Sequence, residues 1–329
     1  MVQQVLAQYD LGHAAIVEPL GNAGGFSGCQ LWKVRTVVGE FCLRKWPRRF
    51  PTLTRLQMIH GVLQHVYRSG CDFVAVPLKA RSGETIIQHE NDFWEVTEWM
   101  QGNANFSEDP SDKRLASAVH ALARFHVAAS TIDGLNSRRS GSENLEKVIT
   151  HLGHAESIVA AAEREQRLPT TELSHLLQMM KLHGIKIASS LLPRVQKFMA
   201  VDFPAQPVIR DIWHDHVFFT GDEVSGLVDF GAISIDVVSF DLARLLGSLV
   251  GEQPPRFQWA IEVYQQSRQL SDSEHELITL LDECGVVIGC GNWLKWLIIE
   301  GREFESKEAV CNRIATLGNR LNSMATNFD

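Results

Sequence analysis

The chain has 329 residues, 45% hydrophobic and 21% charged, an ordinary globular composition that argues against disorder and suits one large domain or two moderate ones. A formal net charge of −8 provides no field to hold nucleic acid or an acidic membrane nonspecifically, while a nucleotide can still be captured by local cations and a metal. The six cysteines at 29, 42, 71, 284, 290 and 311 contain no Cys-x-x-Cys pair, which argues against a disulfide framework or zinc ribbon and for free thiols in a reducing compartment.

The start, Met-Val-Gln-Gln-Val, lacks the basic and apolar regions of a signal peptide. The most membrane-like stretch, 284–294, is interrupted by Lys295 and is shorter than the ~20 apolar residues a span needs. A cytoplasmic protein without a membrane partner is expected. Segments 14–20, 30–38 and 40–45 are rich in Val, Leu and Phe, are separated by glycines and read as strands. Leu53, Leu56, Ile59, Leu63 and Val66 recur at helical spacing and predict a helix over 52–68. Two further strands are expected at 84–89 and 93–98, joined by Glu90-Asn91-Asp92. Ser111 is a plausible cap for a helix over 111–131, with Leu115, Val119, Leu122, Phe125 and Ala129 on one face. Helical patterns occupy most of 144–200 and 255–327, with a strand-rich island at 208–229 between them. The plan is α+β, with a strand-rich front and a helical rear.

The island carries the chemistry. Segments 217–219 and 225–228 read as hairpin strands about the turn Thr220-Gly221-Asp222-Glu223, with Asp211 before the ribbon and Asp229 just after it. A hairpin brings its ends together, so the two carboxylates can serve one cleft. One would orient a hydroxyl and accept its proton while the other holds magnesium against phosphates. The competing reading is that both merely cap turns. Upstream, Gly21-Asn22-Ala23-Gly24-Gly25-Phe26-Ser27-Gly28 is suited to close backbone approach to phosphate, though a plain glycine-rich hairpin explains it as well.

These motifs resemble the aminoglycoside phosphotransferase and choline kinase family over residues ~12 to ~250. Arg210-Asp211 with His216, then Asp229-Phe230-Gly231, is similar to its catalytic loop, hairpin and metal-binding aspartate. Leu122-Ala123-Arg124-Phe125-His126 and Asp241-Leu242-Ala243 resemble two further motifs of the family, and Asp236 falls with the second. The resemblance implies a protein kinase-like bilobal fold: a small β-rich N-terminal lobe at 1–100, a hinge near 96–102, and a large, mainly helical C-terminal lobe at 103–329. It implies ATP and Mg2+ as cofactors and a small-molecule alcohol as acceptor. Asp211 becomes the catalytic residue, and Asp229 with His216 the metal ligands. Gly24, Gly25, Phe26, Ser27 and Arg44 would contact phosphates, and Glu98, Trp99 and Met100 the adenine.

Several departures bear on this. Arg210 replaces the family's usual glycine. His216 replaces its metal-binding asparagine, and an imidazole suits Mn2+ or other transition metals better than Mg2+. Three roles stay open for His216: a metal ligand, a phosphate contact, or a mark of a weakened site. Alternation puts Arg44 and Lys45 on opposite faces, so only one of them can point into the cleft; the resemblance favours Arg44, which leaves Lys45 a solvated charge. The helix at 52–68 lacks the usual carboxylate, with Gln57 and His60 as its nearest polar groups.

For the acceptor, residues 131–200 hold nine Lys/Arg against seven Asp/Glu, a formal +2, which argues against a polycation and favours a small neutral or zwitterionic alcohol. Trp213, His214 and Asp215 are candidates to line the pocket, while Trp293 and Trp296 are more simply core than a box for a quaternary amine. Two other readings compete with the kinase. One is a nucleotide-binding pseudokinase, motivated by His216. The other is a metal hydrolase built on His214 and His216, which would point the same way on a strand.

Overall fold

The structure, a computed structural model, describes residues 1–12, 14–21, 28–48, 51–140, 142–165, 170–304 and 306–326. The chain begins with α1 (Val2–Leu6), β1 (Ala14–Gly21), β2 (Gln30–Thr36), β3 (Glu40–Lys45), α2 (Leu53–Arg68), β4 (Ile87–His89), β5 (Asp92–Glu98) and α3 (Asp112–Ala129). Next come β6 (Ser137–Ser140), α4 (Glu143–Gly153), α5 (Ala155–Arg164), α6 (Thr171–Met179), α7 (Ile185–Lys197) and β7 (Asp202–Val208). The hairpin β8 (Val217–Thr220) and β9 (Glu223–Leu227) follows, then β10 (Ser234–Asp236), α8 (Ser239–Val250), α9 (Pro254–Gln265), α10 (Asp272–Leu294) and α11 (Lys307–Ala325). These elements form two compact units, Met1–Leu135 with Ile209–Ser234, and Asn136–Val208 with Ile235–Asp329.

The first unit is built on an antiparallel five-stranded sheet of order β1-β2-β3-β5-β4. Strand alternation gives its faces different work. Phe41 and Leu43 of β3 and Trp94 and Val96 of β5 are buried with Val5, Leu6 and Tyr9 from the α1 segment. Cys42, Arg44 and Glu95 occupy the alternate positions and face the other way, toward the α2 side, where Trp46 and Leu56 are buried together. Ser111 accepts a hydrogen bond from the Arg114 amide and caps α3. The Ser117 hydroxyl then accepts from the Val224 amide at 2.8 Å, which fastens α3 to the hairpin.

In the hairpin, Thr220 pairs with Glu223 around a two-residue turn, and Gly221 takes the φ of +60° that its first central position requires. Residues 73–75 and 103 bond to the same ribbon: the Leu227 amide donates to the Phe73 carbonyl and the Phe219 amide to the Asn103 carbonyl. The segment following β5 is thereby bound to the ribbon.

The second unit is mainly helical around α10, which packs against α4, α5, α6, α7, α8 and α11, with a three-stranded sheet of order β10-β7-β6. Residues 272–299 form one helical stretch of 28 residues, long and apolar enough to cross a membrane and longer than the sequence reading allowed; 61% of its apolar window is buried inside the fold, as in a core helix.

Other differences from the sequence reading have local causes. β2 stops at Thr36 because Thr36 turns the chain, accepting from the Val38 amide and donating to the Gly39 carbonyl. Only Ile87–His89 of the expected 84–89 strand pairs. β7 contains Pro204 and Pro207, and its prolines hid a strand that sits in the middle of its sheet.

Candidate active site

The site starts from β3 and β5. Antiparallel register sets Arg44 directly opposite Glu95. The Arg44 Nη1 donates to Asp229 Oδ1 at 3.0 Å, its Nε stands 3.7 Å from Glu95 Oε1, and its guanidinium lies 4.8 Å above the Trp46 ring. Glu95 is buried. Its Oε2 accepts from the Trp46 indole N–H at 2.9 Å and faces His60 Nε2 at 2.8 Å. Burial alone would push the Glu95 carboxyl up; the hydrogen bond and charge of His60, with Arg44 and Trp46, hold it below its ordinary value. Lys45 points to the opposite face, as alternation requires. It is not simply solvated, because its Nζ is 2.8 Å from the buried Asp92 carboxylate.

The backbone is strained on both sides of the hairpin, at Arg210 before it and at Asp229 after it. Arg210 has φ +71° and Asp229 φ +62°, both in the left-handed region that non-glycine residues avoid. A glycine would adopt the Arg210 conformation without that cost. Residues 214–216 form a 3-10 turn, not a strand, so His214 and His216 do not point the same way. His214 Nε2 lies 3.2 Å from Asp215 Oδ1, and both rings meet Trp213 edge-on.

His216 links the two ends of the ribbon. Its Nδ1 donates to the Asp211 backbone carbonyl at 2.7 Å, and its Nε2 accepts from the Trp213 indole N–H at 3.0 Å. The carbonyl only accepts and the indole only donates, so these partners assign the neutral Nδ1–H tautomer. The Asp229 Oδ2 is 3.7 Å from the same Nε2. One imidazole therefore has the Asp211 backbone on one side and the Asp229 carboxylate on the other. Burial would raise the Asp229 carboxyl, but the Arg44 charge and hydrogen bond and the Gly231 amide hold it low. Phe230 is buried and stacks on Phe125 of α3, with centroids 6.0 Å apart. At Gly231 a Cβ would lie 3.0 Å from the Trp46 ring, so glycine lets the chain pass beneath the indole.

At the end of β5 the Trp99 amide donates to the Glu40 carbonyl at 3.0 Å. In an antiparallel ladder the neighbouring Glu98–Phe41 pair is then the wide one, and Glu98 turns its N–H and C=O away from β3. Trp99 lies under the Lys33 ammonium at 4.3 Å, and Met100 packs on Gly226 of β9.

A model of the phosphotransferase enzyme family (APH) matches residues 21–272, most of the chain. The chain belongs to this family. A homoserine kinase from Methylobacterium sp. (strain 4-46) is 29% identical over 291 residues, covering 84% of this chain and 79% of that protein. Spectinomycin phosphotransferase APH(9)-Ia, solved with ADP and spectinomycin, matches with a TM-score of 0.73 at 11% identity, over 100% of this chain and 98% of its own. Amicoumacin kinase hAmiN, solved with AMP-PNP, Ca2+ and Ami, matches at 0.63 and 15% identity, over 99% and 96%. The fold is protein kinase-like, a small antiparallel sheet part and a mainly helical part, and the chain is a small-molecule kinase with an alcohol group as acceptor.

Within this family chain, the structure gathers Arg44, Asp211, His216 and Asp229 through direct contacts. Gly24, Gly25, Phe26 and Ser27 lie outside the described residues. Asp236 and Asp241 are buried, and Asp236 accepts from the Val237 amide at 2.8 Å and from Asn144. Trp293 is core, in edge contact with Trp296 and Phe304, and Arg302 already stands 5.2 Å over the Trp296 ring.

The donor set suits a divalent cation in part. The Asp229 carboxylate is a hard oxygen ligand held ionised, whereas the His216 Nε2 lone pair is engaged by Trp213 and reaches a metal only when that indole lets go. Among the described residues no group of three His, Cys, Asp or Glu stands ready to hold a metal.

Sequence reasoning missed Glu95, Trp46 and the role of His60. The signal was present: once β5 neighbours β3 antiparallel, register alone puts Glu95 on the Arg44 face.

Proposed function

We propose that this kinase transfers the γ-phosphate of ATP to the hydroxyl of a small amino alcohol, with homoserine the first candidate. The observation that carries the proposal is the continuous run of contacts from Arg44 through Asp229 and His216 to the Asp211 backbone. In this reading residues 1–100 hold the nucleotide, 96–102 form the hinge, and 103–329 carry the catalytic loop and the acceptor side. The Arg44 guanidinium meets the α and β phosphates. The Glu98 carbonyl and the Met100 backbone meet the adenine, flanked by Trp99. Residues 24–27 would cover the phosphates.

Asp211 orients the acceptor hydroxyl and takes its proton. The oxygen attacks the γ-phosphorus, the bond to the β–γ bridging oxygen breaks, and ADP leaves. Asp229 would hold Mg2+, joined by His216 when Trp213 releases it, and the bound cation would neutralise developing phosphate charge. An imidazole ligand would make Mn2+ an effective substitute.

Two observations support the acceptor class. The 29%-identical relative is a homoserine kinase, and the segment 131–200 carries a formal +2, which disfavours polycations. The free thiols fit a reducing cytoplasm.

The test is ATP consumption against homoserine, choline, an aminoglycoside and pooled small alcohols, with Mg2+ and Mn2+ in parallel and the phosphorylated product weighed by mass spectrometry. Homoserine should give the highest kcat/KM. Preference for choline or an aminoglycoside would overturn the acceptor assignment. ADP binding with no product from any alcohol would replace the transferase by a nucleotide-binding protein.

A further inference from the structure

We infer that Glu95, held by His60, is the positioning carboxylate that aims Arg44 at the nucleotide; this rests on the phosphate role proposed above for Arg44. The guanidinium faces two carboxylates, Asp229 at 3.0 Å and Glu95 at 3.7 Å. Asp229 is the residue assigned to the metal, and a carboxylate that serves a cation is a poor permanent anchor for an arginine. Glu95 has no such second duty. It lies opposite Arg44 in the ladder, so the backbones of both residues are fixed to one another.

The carboxylate is also fixed in orientation. Both bonds to Oε2 come from groups that are themselves held: the Trp46 indole, which lies under Arg44, and His60, whose Nδ1 is 2.8 Å from the Thr85 hydroxyl. The other oxygen, Oε1, is the one turned to Arg44. His60 is 3% exposed and Glu95 is 6% exposed, so water does not compete for either. Burying charge in this way is a poor source of stability, because desolvation offsets most of the attraction. It is a good way to fix where a charge points.

Helix α2 contains no Asp or Glu. Its contribution is made through the His60 ring on the Glu95 side and through Arg55, which donates to the Ala232 and Ile233 carbonyls just beyond Asp229. The helix therefore braces both carboxylate-bearing segments that flank Arg44.

The test uses the full chain and separates binding from turnover. ADP affinity is measured by calorimetry, and KM for ATP and for the acceptor by steady-state kinetics, with a melting curve for each variant. Glu95→Gln should raise the ADP Kd and the KM for ATP roughly tenfold while leaving the acceptor KM within about twofold. His60→Leu should move the same quantities in the same direction, and His60→Gln, which keeps a donor for Oε2, should recover most of the loss. If Arg44→Ala weakens ADP but Glu95→Gln binds it like wild type, this inference fails and the phosphate role of Arg44 stands. If Arg44→Ala itself leaves ADP binding unchanged, the phosphate role fails and takes the inference with it. A parallel rise in the acceptor KM would mean general damage and would also overturn it. Should Glu95→Gln not fold, the two His60 variants decide by the same criteria.

Discussion

Each compact unit contains a part-buried arginine that faces two carboxylates. In the second unit Arg320 of α11 donates from Nε to Glu252 at 2.9 Å, from Nη1 to the Gly247 carbonyl at 3.0 Å and from Nη2 to Asp282 at 2.7 Å. The surroundings are closed: a Cβ at Gly247 would lie 2.0 Å from Asp282, and one at Gly251 2.5 Å from Arg320. In the first unit, among the described residues, Arg44 donates one hydrogen bond, to Asp229, keeps Glu95 at 3.7 Å and rests on the Trp46 ring. A guanidinium has five N–H donors; among the described residues Arg320 gives three of them to its own protein, while Arg44 gives one and is otherwise held by charge and by a ring face. The first arrangement is a brace. The second leaves donors for a ligand.

The strongest way to break this contrast is at the catalytic end of the Arg44 network. Asp211→Asn should lower kcat roughly 10²–10⁴-fold, the range of a lost general base, with ADP affinity near wild type by calorimetry. Undiminished turnover would remove Asp211 from the chemistry. The arginines come next. Arg320→Ala strips the part-buried Asp282 of its partner and should cost ~3 kcal/mol in urea unfolding, the low end for a buried pair. Arg44→Ala should cost less than half of that, because Glu95 keeps His60 and Trp46 and Asp229 is part-exposed, yet should lower kcat/KM for ATP by roughly 100-fold. Equal losses of stability in the two variants would erase the distinction between brace and site.

The same contrast explains what could be read from the chain. The hairpin, the two aspartates around it and the opposite facing of Arg44 and Lys45 followed from turn chemistry and period-two alternation, which act over a few residues, while the preference for Arg44 came from the family resemblance. Glu95 did not, because its role depends on β5 lying beside β3 and on the register between strands some fifty residues apart. The Asp92 partner of Lys45 was missed for the same reason. His216 was singled out by its place in the motif, but its tautomer and its bond to Trp213 depend on a 3-10 turn where alternation suggests a strand. In the second unit, the glycines at 247 and 251 carry no visible signal of the Arg320 cluster they make room for.

Asp282 and Glu95 are shifted in opposite senses, and acid should expose this. Burial raises the Asp282 carboxyl, an effect that Arg320 only partly offsets. The folded state then takes up that proton before the unfolded chain does. Lowering the pH from neutral toward the ordinary aspartate value (~3.9) therefore adds stability through Asp282. Glu95 is held low, so its contribution is complete above the ordinary glutamate value (~4.3) and is lost as the pH falls through its lower folded value. Urea unfolding between pH 7 and 3 should show Asp282→Asn flattening the upper part of the profile and Glu95→Gln the lower part. A Glu95→Gln profile parallel to wild type below pH 4 would contradict the assigned direction.

The smallest expected effect is in metal choice, and it tests whether the Arg44 site is completed by His216. The Trp213 N–H and a metal compete for one lone pair on Nε2. Trp213→Phe removes the donor and keeps an aromatic ring, so the ratio of Mn2+- to Mg2+-supported kcat should rise by roughly threefold to tenfold. His216→Asn replaces nitrogen by an amide oxygen, and the ratio should move the other way, in favour of Mg2+. Opposite displacements by substitutions at the two ends of one hydrogen bond would be hard to produce by general damage, which lowers both activities together. If neither variant moves the ratio, His216 serves only to tie the Asp211 backbone to its loop, and the metal belongs to Asp229 without it.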